Sequence, residues 1–307
     1  MNITLLDAAR YARLFNERYT REVQPALTTS FPAAGPAQSR PTVSAAVEIR
    51  GVTKRFRVGK QHIEALGHID LRVPPGCFLS IVGPSGCGKS TIIKMIAGFV
   101  SATTGEIYVQ GRRMQGIADN SGIGYVAQDN QLFPWLTTSA NVAFPLESRG
   151  WPLRQRRERV AEMLALVGLS DAADKYIHQL SGGMKKRAAI AQALSYDPAI
   201  LLMDEPFGSL DSQTRMILQR ELQKIWQRTG KTILFVTHDL VEAIALSDVA
   251  VVLSSGPGII KAQLDVTLAR PRDIFNIHIQ PGFAEAYQTL WPLLHDELEA
   301  PSTARQL

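Results

Sequence analysis

The chain lacks any run of apolar residues long enough to cross a bilayer. A transmembrane helix needs about 20 consecutive, largely uncharged apolar residues, and no segment of the 307-residue chain approaches that length. The first 23 residues contain Asp7, Glu17 and Glu22 and no clean apolar stretch, so the pattern predicts no secretory leader. We therefore expect a water-soluble chain with no membrane span of its own.

The chain also has few cysteines and a small net charge. The only two cysteines, Cys77 and Cys87, have a spacing typical of neither a disulfide framework nor a zinc site. The formal net charge is +5, from 33 basic and 28 acidic residues. The charges are dispersed, so charge alone does not indicate a nucleic-acid partner. The densest basic segment, 154–159, precedes apolar residues at helical spacing, and we interpret its arginines as the solvated start of an amphipathic helix.

Apolar residues make up 45% of the chain, enough for a substantial core in one large domain with appendages. Short, continuous apolar runs predict the buried strands of a parallel sheet. These runs are 78–82, 199–203, 232–237 and 249–253. Alternating patterns at 47–52 and 106–109 predict antiparallel strands, and the pattern between Gln128 and Leu180 is helical, with breaks at 150–152 and Gly168.

A glycine-rich segment connects the first of these apolar runs to a helical stretch. It consists of Gly83, Pro84, Ser85, Gly86, Cys87, Gly88, Lys89, Ser90 and Thr91. Such a loop turns its backbone N–H groups toward phosphates, and the helix that follows adds its positive N-terminal dipole. Lys89 adds a positive charge, and Ser90 offers a hydroxyl to Mg²⁺. The full pattern between strand and helix therefore predicts a nucleoside triphosphate site rather than a chance turn.

Two adjacent carboxylates, Asp204 and Glu205, end the apolar run at 199–203. The carboxyl end of a buried parallel strand is where an α/β sheet meets its ligand. We predict that Asp204 holds Mg²⁺ through water and that Glu205 polarises the attacking water. The alternative is a pair of acids that only caps the strand end.

A Ser-Gly-Gly turn at Ser181 opens the helical stretch 188–194. Ser181 suits an N-cap, and free N–H groups at a helix start form a second phosphate-binding surface. Taken alone, the turn indicates an ordinary helix cap. Together with the P-loop and the acidic strand, however, it resembles the signature motif of ATP-binding cassette (ABC) ATPases.

Further motifs extend this resemblance in the family's order, from about Val47 to about Leu264. Gln128 matches the glutamine of the Q-loop, Asp211 the D-loop, and His238 the switch histidine. Phe56 stands where the family has an aromatic residue that stacks on adenine, although an aromatic residue near a strand end is as often part of the core. No N/T-K-x-D motif follows the acidic strand, which disfavours a GTPase.

The resemblance implies an α/β fold with a P-loop NTPase (RecA-like) core, an antiparallel β subdomain and an inserted helical subdomain at about 129–185. We expect an N-terminal extension and flexible linker at 1–45, with an amphipathic helix within 1–23. The ATPase domain is expected at 46–265 and a short helical tail at 266–307.

The resemblance also implies the chemistry. ATP and Mg²⁺ are the expected cofactors, Lys89, Gln128, Glu205 and His238 the catalytic residues, and Ser90, Gln128 and Asp204 the metal ligands. The signature residues complete the site of a facing subunit, so hydrolysis requires a dimer. These residues are Ser181, Gly182, Gly183 and Met184.

Several short sequence segments resemble those of the ATPase subunits of nitrate, sulfonate and taurine importers in particular. They lie at 132–137, 178–184, 204–211, 254–258 and 270–273. Lys185 and Lys186 depart from the Gln or Arg usual there, and Ser209 from Ala.

The predicted function is therefore the ATPase of an importer for a small oxyanionic or sulfonated solute, peripheral on the cytoplasmic face of the inner membrane. Its expected partners are a second ATPase subunit, a permease and, indirectly, a solute-binding protein, with no nucleic acid. Phe133, Pro134 and Trp135 are predicted to lie near a permease helix or else to pack inside the insertion. The alternatives are an exporter ATPase and a non-transport ABC ATPase that acts on the ribosome or nucleic acid.

Overall fold

The computed structural model describes residues 45–59, 61–117, 122–129 and 131–299. The helix predicted within 1–23 and almost all of the predicted linker lie outside these residues. The described strands are β1 (Val47–Val58), β2 (Gln61–Val73), β3 (Phe78–Val82), β4 (Thr104–Val109), β5 (Arg112–Arg113), β6 (Ile123–Val126), β7 (Ile200–Asp204), β8 (Thr232–Thr237), β9 (Val249–Leu253) and β10 (Ile260–Asp265).

The α-helices between and after these strands are α1 (Lys89–Ile96), α2 (Thr138–Ser148), α3 (Leu153–Leu166), α4 (Gly182–Leu194), α5 (Ser212–Thr229), α6 (Leu240–Leu246) and α7 (Phe283–Glu299). Short 3₁₀ turns lie at Ser170–Ala172, Ile177–Gln179 and Ile274–Ile279. No helix of the described part is long and apolar enough to cross a membrane.

The larger sheet has the strand order β10-β9-β3-β8-β7-β6. The strands from β9 to β6 pair in parallel, and β10 pairs antiparallel with β9. Every residue of β3, β7 and β8 is buried, because side chains alternate between two apolar cores on opposite faces. Phe78 and Val82 enter one core, whereas Leu79 and Ile81 enter the other. The predicted α/β fold with a buried parallel sheet is confirmed.

The smaller sheet is antiparallel, with the order β2-β1-β4-β5. Val47 pairs with Val73 on one side and with Val109 on the other. The alternating strands predicted at 47–52 and 106–109 are therefore direct neighbours. Their apolar side chains share a core with Ile92 and Ile96 of α1, so this sheet packs on the helix that follows the P-loop.

Helices α2, α3 and α4 lie between β6 and β7 in the chain. The first two fall within 129–185, where the sequence predicts a helical insertion, whereas α4 begins near its end and continues to Leu194. The predicted breaks are present, since Gly150 and Gly168 have positive φ angles of 71° and 66°. The interpretation of the arginines as a solvated face is wrong for Arg156 and Arg159, whose side chains are each only 19% exposed. Arg159 donates from Nε to the Ser195 carbonyl at 2.8 Å and from Nη2 to the Leu194 carbonyl at 3.2 Å. This arginine therefore satisfies carbonyls at the C-terminal end of α4, because its long side chain reaches across the packed helices.

The C-terminal residues pack on the larger core through Phe283, Leu290 and Leu294 of α7. Arg272, which precedes this helix, is only 3% exposed although no carboxylate pairs with it among the described residues. Its guanidinium donates instead to backbone carbonyls, including those of Ile244, Ser247 and Val266. Burial lowers the pKa of Arg272 to about 10, so the group stays cationic at neutral pH.

Candidate functional site

The glycine-rich loop lies between β3 and α1, where the sequence places it. Gly86 and Gly88 have φ angles of 82° and 98°, a region that side chains rarely allow. A Cβ at Gly88 would lie 2.4 Å from Leu66 Cδ2 and 2.9 Å from the Ala65 carbonyl. The loop therefore passes so close to β2 that only glycine fits at this position.

Lys89 is buried at the start of α1 and turns back into the loop. Its ammonium donates to the carbonyl oxygens of Gly83 and Pro84, both at 2.8 Å. The side chain thus places a positive charge inside the turn, next to backbone N–H groups at a helix N-terminus. This combination is suited to binding phosphate.

Asp204 and Ser90 meet at the carboxyl edge of the sheet. The Ser90 hydroxyl donates to Asp204 Oδ1 at 2.7 Å, and the Tyr125 hydroxyl donates to Oδ2 at 3.4 Å. Burial, reinforced by the charge of Asp204, raises the pKa of Tyr125, so the phenol stays a donor. The sequence indicates no role for Tyr125, although its position at the end of β6 could have signalled it.

The oxygens of Ser90 and Asp204 suit a hard cation such as Mg²⁺. The described residues contain no group of three or more His, Cys, Asp and Glu side chains arranged for a metal. Magnesium, however, is commonly held by one or two carboxylates together with substrate phosphates and water. A hydroxyl and a buried carboxylate next to a phosphate-binding loop therefore fit that ion.

Glu205 and His238 come together from the ends of β7 and β8. His238 Nδ1 lies 3.2 Å from Glu205 Oε2, and the His238 side chain is 58% exposed. Glu205 has a φ of 43°, which costs a non-glycine residue about 1–3 kcal/mol. Its N–H donates to the Val236 carbonyl at 3.0 Å. The backbone bond holds the carboxylate beside the imidazole in this strained geometry.

A buried network lies behind His238. Glu242 accepts from the Thr237 hydroxyl at 2.6 Å and from the Gln219 amide at 3.0 Å. Arg215 lies 3.8 Å from the same carboxylate and 3.6 Å from Asp239. Burial raises the pKa of Glu242, while the Thr237 hydrogen bond opposes that rise. The network connects α5 with the loop that carries His238. The sequence analysis misses it, although an acid inside the apolar stretch 240–246 is the signal that could have revealed it.

Gln128 is exposed just beyond β6. The described hydrogen bonds of Ser90 and Asp204 do not include the Gln128 side chain. The Gln128 carbonyl instead accepts from the ammonium of Lys186 on α4. Lys186 is only 2% exposed, and burial lowers its pKa while Asp129 opposes that shift.

The signature residues begin α4 on the surface. Ser181 is the N-cap, and its hydroxyl accepts from the Met184 N–H at 3.3 Å. Gly183 packs on α5, since a Cβ there would lie 2.7 Å from Thr214 Cγ2. Asp211 caps α5 by accepting from the Thr214 N–H at 2.9 Å, and this bond lowers the pKa of Asp211. The signature turn and the D-loop therefore form one packed surface, with Ser181 and Gly182 exposed on it.

Phe56 lies on β1 with 36% of its surface exposed and with the Lys54 ammonium 4.7 Å from its ring centroid. It belongs to neither apolar core. In the segment 133–135, the two aromatic side chains differ in their surroundings. Phe133 packs on Phe144 at 4.6 Å between ring centroids, whereas Trp135 is 57% exposed.

The chain is similar to known proteins in sequence and in fold. The family model described as ABC transporter matches residues 66–208. The taurine import ATP-binding protein TauB of Escherichia coli (strain K12) is 45% identical over 206 residues, which cover 67% of this chain and 80% of TauB. The spermidine/putrescine import ATP-binding protein PotA of Frankia alni is 44% identical over 232 residues, which cover 75% of this chain and 48% of PotA.

Among solved structures, a dimeric ATP-binding cassette in a post-hydrolysis state with bound ADP and Pi superimposes with a TM-score of 0.65 at 34% identity. The match covers 72% of this chain and 98% of that one. It confirms the predicted P-loop NTPase core, since both the sequence and the arrangement of elements agree over nearly the whole cassette.

Proposed function

The chain belongs to the ABC transporter family of ATP-hydrolysing subunits, and we propose that it energises an importer for a small oxyanionic or sulfonated solute. The observation that carries this proposal is the similarity to a taurine import ATP-binding protein over 80% of that protein's length. PotA, the relative named for polyamine import, is about twice as long as the matched region. The taurine-type solute is therefore the better supported of the two.

Within the ATPase site, we assign phosphate binding to the P-loop N–H groups and Lys89. Ser90 and Asp204 would hold Mg²⁺, which shields the phosphate charge and orients the transferred group when bound. Glu205 is placed to orient and polarise the attacking water. His238, whose Nδ1 lies 3.2 Å from the Glu205 carboxylate, is placed to contact the γ-phosphate. Gln128, exposed just beyond β6, would supply a further oxygen to the metal. Phe56 offers an exposed ring on which adenine can stack.

We further propose that two subunits enclose the nucleotides between them. Ser181 and Gly182 are exposed at the N-terminus of α4, a 13-residue helix, so their N–H groups are available to phosphates of a facing subunit. Loss of the γ-phosphate would remove a bridge between the subunits. The subunits would then part and move the permease that rests on them.

The permease contact is assigned to the exposed surface around Pro134 and Trp135. An exposed tryptophan flanked by a packed aromatic residue is typical of an anchor at a protein interface. Since the chain has no described helix that could span a membrane, we propose that this contact holds it at the cytoplasmic face of the inner membrane.

The function is tested by purifying the tagged chain from gently solubilised membranes of its native cell and identifying by mass spectrometry what accompanies it. A multi-spanning permease should copurify, and ATP-dependent uptake through the complex should favour taurine over spermidine. A preference for spermidine would overturn the solute class. Outward transport, or ribosomal proteins in place of a permease, would overturn the importer assignment.

We expect Trp135→Ala to reduce copurification of the permease by more than tenfold, because an aromatic anchor commonly contributes about 2 kcal/mol or more. The ATPase turnover of the isolated subunit should stay unchanged. Trp291→Ala removes an exposed tryptophan from α7 and serves as the matched control. Equal recovery of the permease with both variants would contradict the assigned contact.

Lys89→Ala should weaken ATP binding about 10- to 100-fold, since a charge-assisted hydrogen bond contributes about 1.5–3 kcal/mol. The measurement is the Kd of a fluorescent ATP analogue at fixed Mg²⁺ concentration. Lys94→Ala, an exposed lysine in the last turn of the same helix, is the control. An unchanged Kd for Lys89→Ala would contradict the P-loop assignment.

A further inference from the structure

The loop 254–258 between β9 and β10 presses against the outer side of the P-loop. A Cβ at Gly258 would lie 2.0 Å from the Cys87 carbonyl oxygen and 3.2 Å from Leu66 Cδ2. The Gly258 N–H donates to the Ala65 carbonyl at 3.2 Å, and the Gly258 carbonyl accepts from the Gly67 N–H at 3.0 Å. The backbone of the loop therefore touches the backbone of the P-loop with no side chain between them.

The same loop is held from its other side by the C-terminal helix. Glu297, in the last turn of α7, accepts from both the N–H and the hydroxyl of Ser255, at 2.7 and 2.8 Å. Its second carboxylate oxygen lies 3.0 Å from the Lys261 ammonium on β10. Glu297 is only 14% exposed, although it lies two residues from the end of the helix.

We infer that Glu297 is a positioning residue for nucleotide binding. Ser255 is three residues from Gly258, so the carboxylate that holds Ser255 also holds Gly258 against Cys87. Charge-assisted hydrogen bonds to a carboxylate are about twice as strong as neutral ones. The C-terminal helix, which lies outside the region matched by the family model, thereby limits the shapes that the P-loop can adopt.

The contacts of Glu297 limit how this residue can affect ATP binding and hydrolysis. The described hydrogen bonds and ion pair of Glu297 go to Ser255 and Lys261, so its hydrogen bonds act on the reaction through the loop. Its loss should raise the KM for ATP and leave kcat within about twofold, because ground-state binding and not the chemical step is affected. A group that stabilises only the transition state would lower kcat instead.

The reactivity of the Cys87 thiol can be used to follow the contact between the loop 254–258 and the P-loop. Its thiol is 1% exposed within the P-loop, and Cys77 is the only other cysteine of the chain. In a Cys77→Ala background, the rate of alkylation by N-ethylmaleimide without nucleotide therefore measures local opening of the P-loop. Global unfolding is followed separately by urea titration.

The experiment compares Glu297→Ala with Glu285→Ala, which removes an exposed acid from the first turn of the same helix. We expect Glu297→Ala to raise the KM for ATP and to speed Cys87 alkylation, each about 10-fold or more, in line with loss of a hydrogen bond to a charged group. Glu285→Ala should change neither. Glu297→Gln keeps an oxygen that accepts from Ser255 but loses the charge, so its KM and alkylation rate should lie between those of the wild type and Glu297→Ala.

An unchanged KM and alkylation rate in Glu297→Ala would overturn the inference. So would equal effects of the two alanine variants, or alkylation that rises only in proportion to a lowered urea midpoint, since either result would indicate general destabilisation. A fall in kcat with an unchanged KM would also overturn it.

Discussion

Glu205→Gln is expected to lower the rate of ATP hydrolysis by about two to four orders of magnitude, the range typical of general base catalysis. The amide keeps the shape of the carboxylate but does not accept a proton from water. ATP binding should persist, because the P-loop and Lys89 do not contact Glu205. The variant should therefore accumulate as an ATP-bound dimer, which size-exclusion chromatography with ATP and Mg²⁺ detects.

The matched control is Glu221→Gln, which changes a carboxylate on α5 whose neighbours are Lys224 and Arg220 at the surface. Its turnover should equal that of the wild type. Normal turnover in Glu205→Gln would remove Glu205 from the catalytic role. A loss of both turnover and ATP binding would instead indicate that the strained backbone at φ 43° depends on the charge.

Arg272→Met should lower the free energy of unfolding by about 3–5 kcal/mol, because several buried carbonyls lose their donor at about 1–3 kcal/mol each. Methionine keeps the apolar stem and removes all the N–H groups. The carbonyls of Ile244, Ser247 and Val266, now at 2.6 to 3.0 Å from the guanidinium, would be left in the protein interior. Urea unfolding followed by tryptophan fluorescence measures the change.

Arg154→Met is the control, since the Arg154 side chain is 90% exposed and pairs with Glu158 on the same helix. Exposed ion pairs of this kind contribute little to stability, so the urea midpoint should hardly move. If Arg272→Met also leaves the midpoint unchanged, the bonds to the carbonyls between α6 and α7 do not stabilise the C-terminal segment.

The sequence predicts the core sheet well because its strands are buried on both faces. A run such as 232–237 has to be almost continuously apolar, and that pattern is visible without any partner. The P-loop is equally visible, since the turn, the close approach at Gly88 and the lysine all lie within nine residues. No pattern of spacing links His238 to Glu205, which is 33 residues away in the chain. Only the resemblance to a family suggests that the two residues belong to the same site.

Contacts between distant polar groups are the part that the sequence does not predict. Arg159 lies in a segment that has every feature of a solvated helix face, yet it donates to carbonyls of another helix. The buried partners of Glu242 and Arg272 are likewise not visible in the sequence, because hydropathy describes where a residue prefers to lie and not which group it meets. Such partners depend on how the elements pack, which only the folded structure provides.

The hydrogen bond from Lys186 to the Gln128 carbonyl joins residues that are 58 positions apart. The chain between them contains α2 and α3. This bond therefore joins the two ends of that helical segment at the place where the segment is attached to the rest of the protein. A segment whose two ends are hydrogen-bonded to each other moves as one unit. A displacement of this helical segment would therefore move the backbone at Gln128 and the start of α4 together.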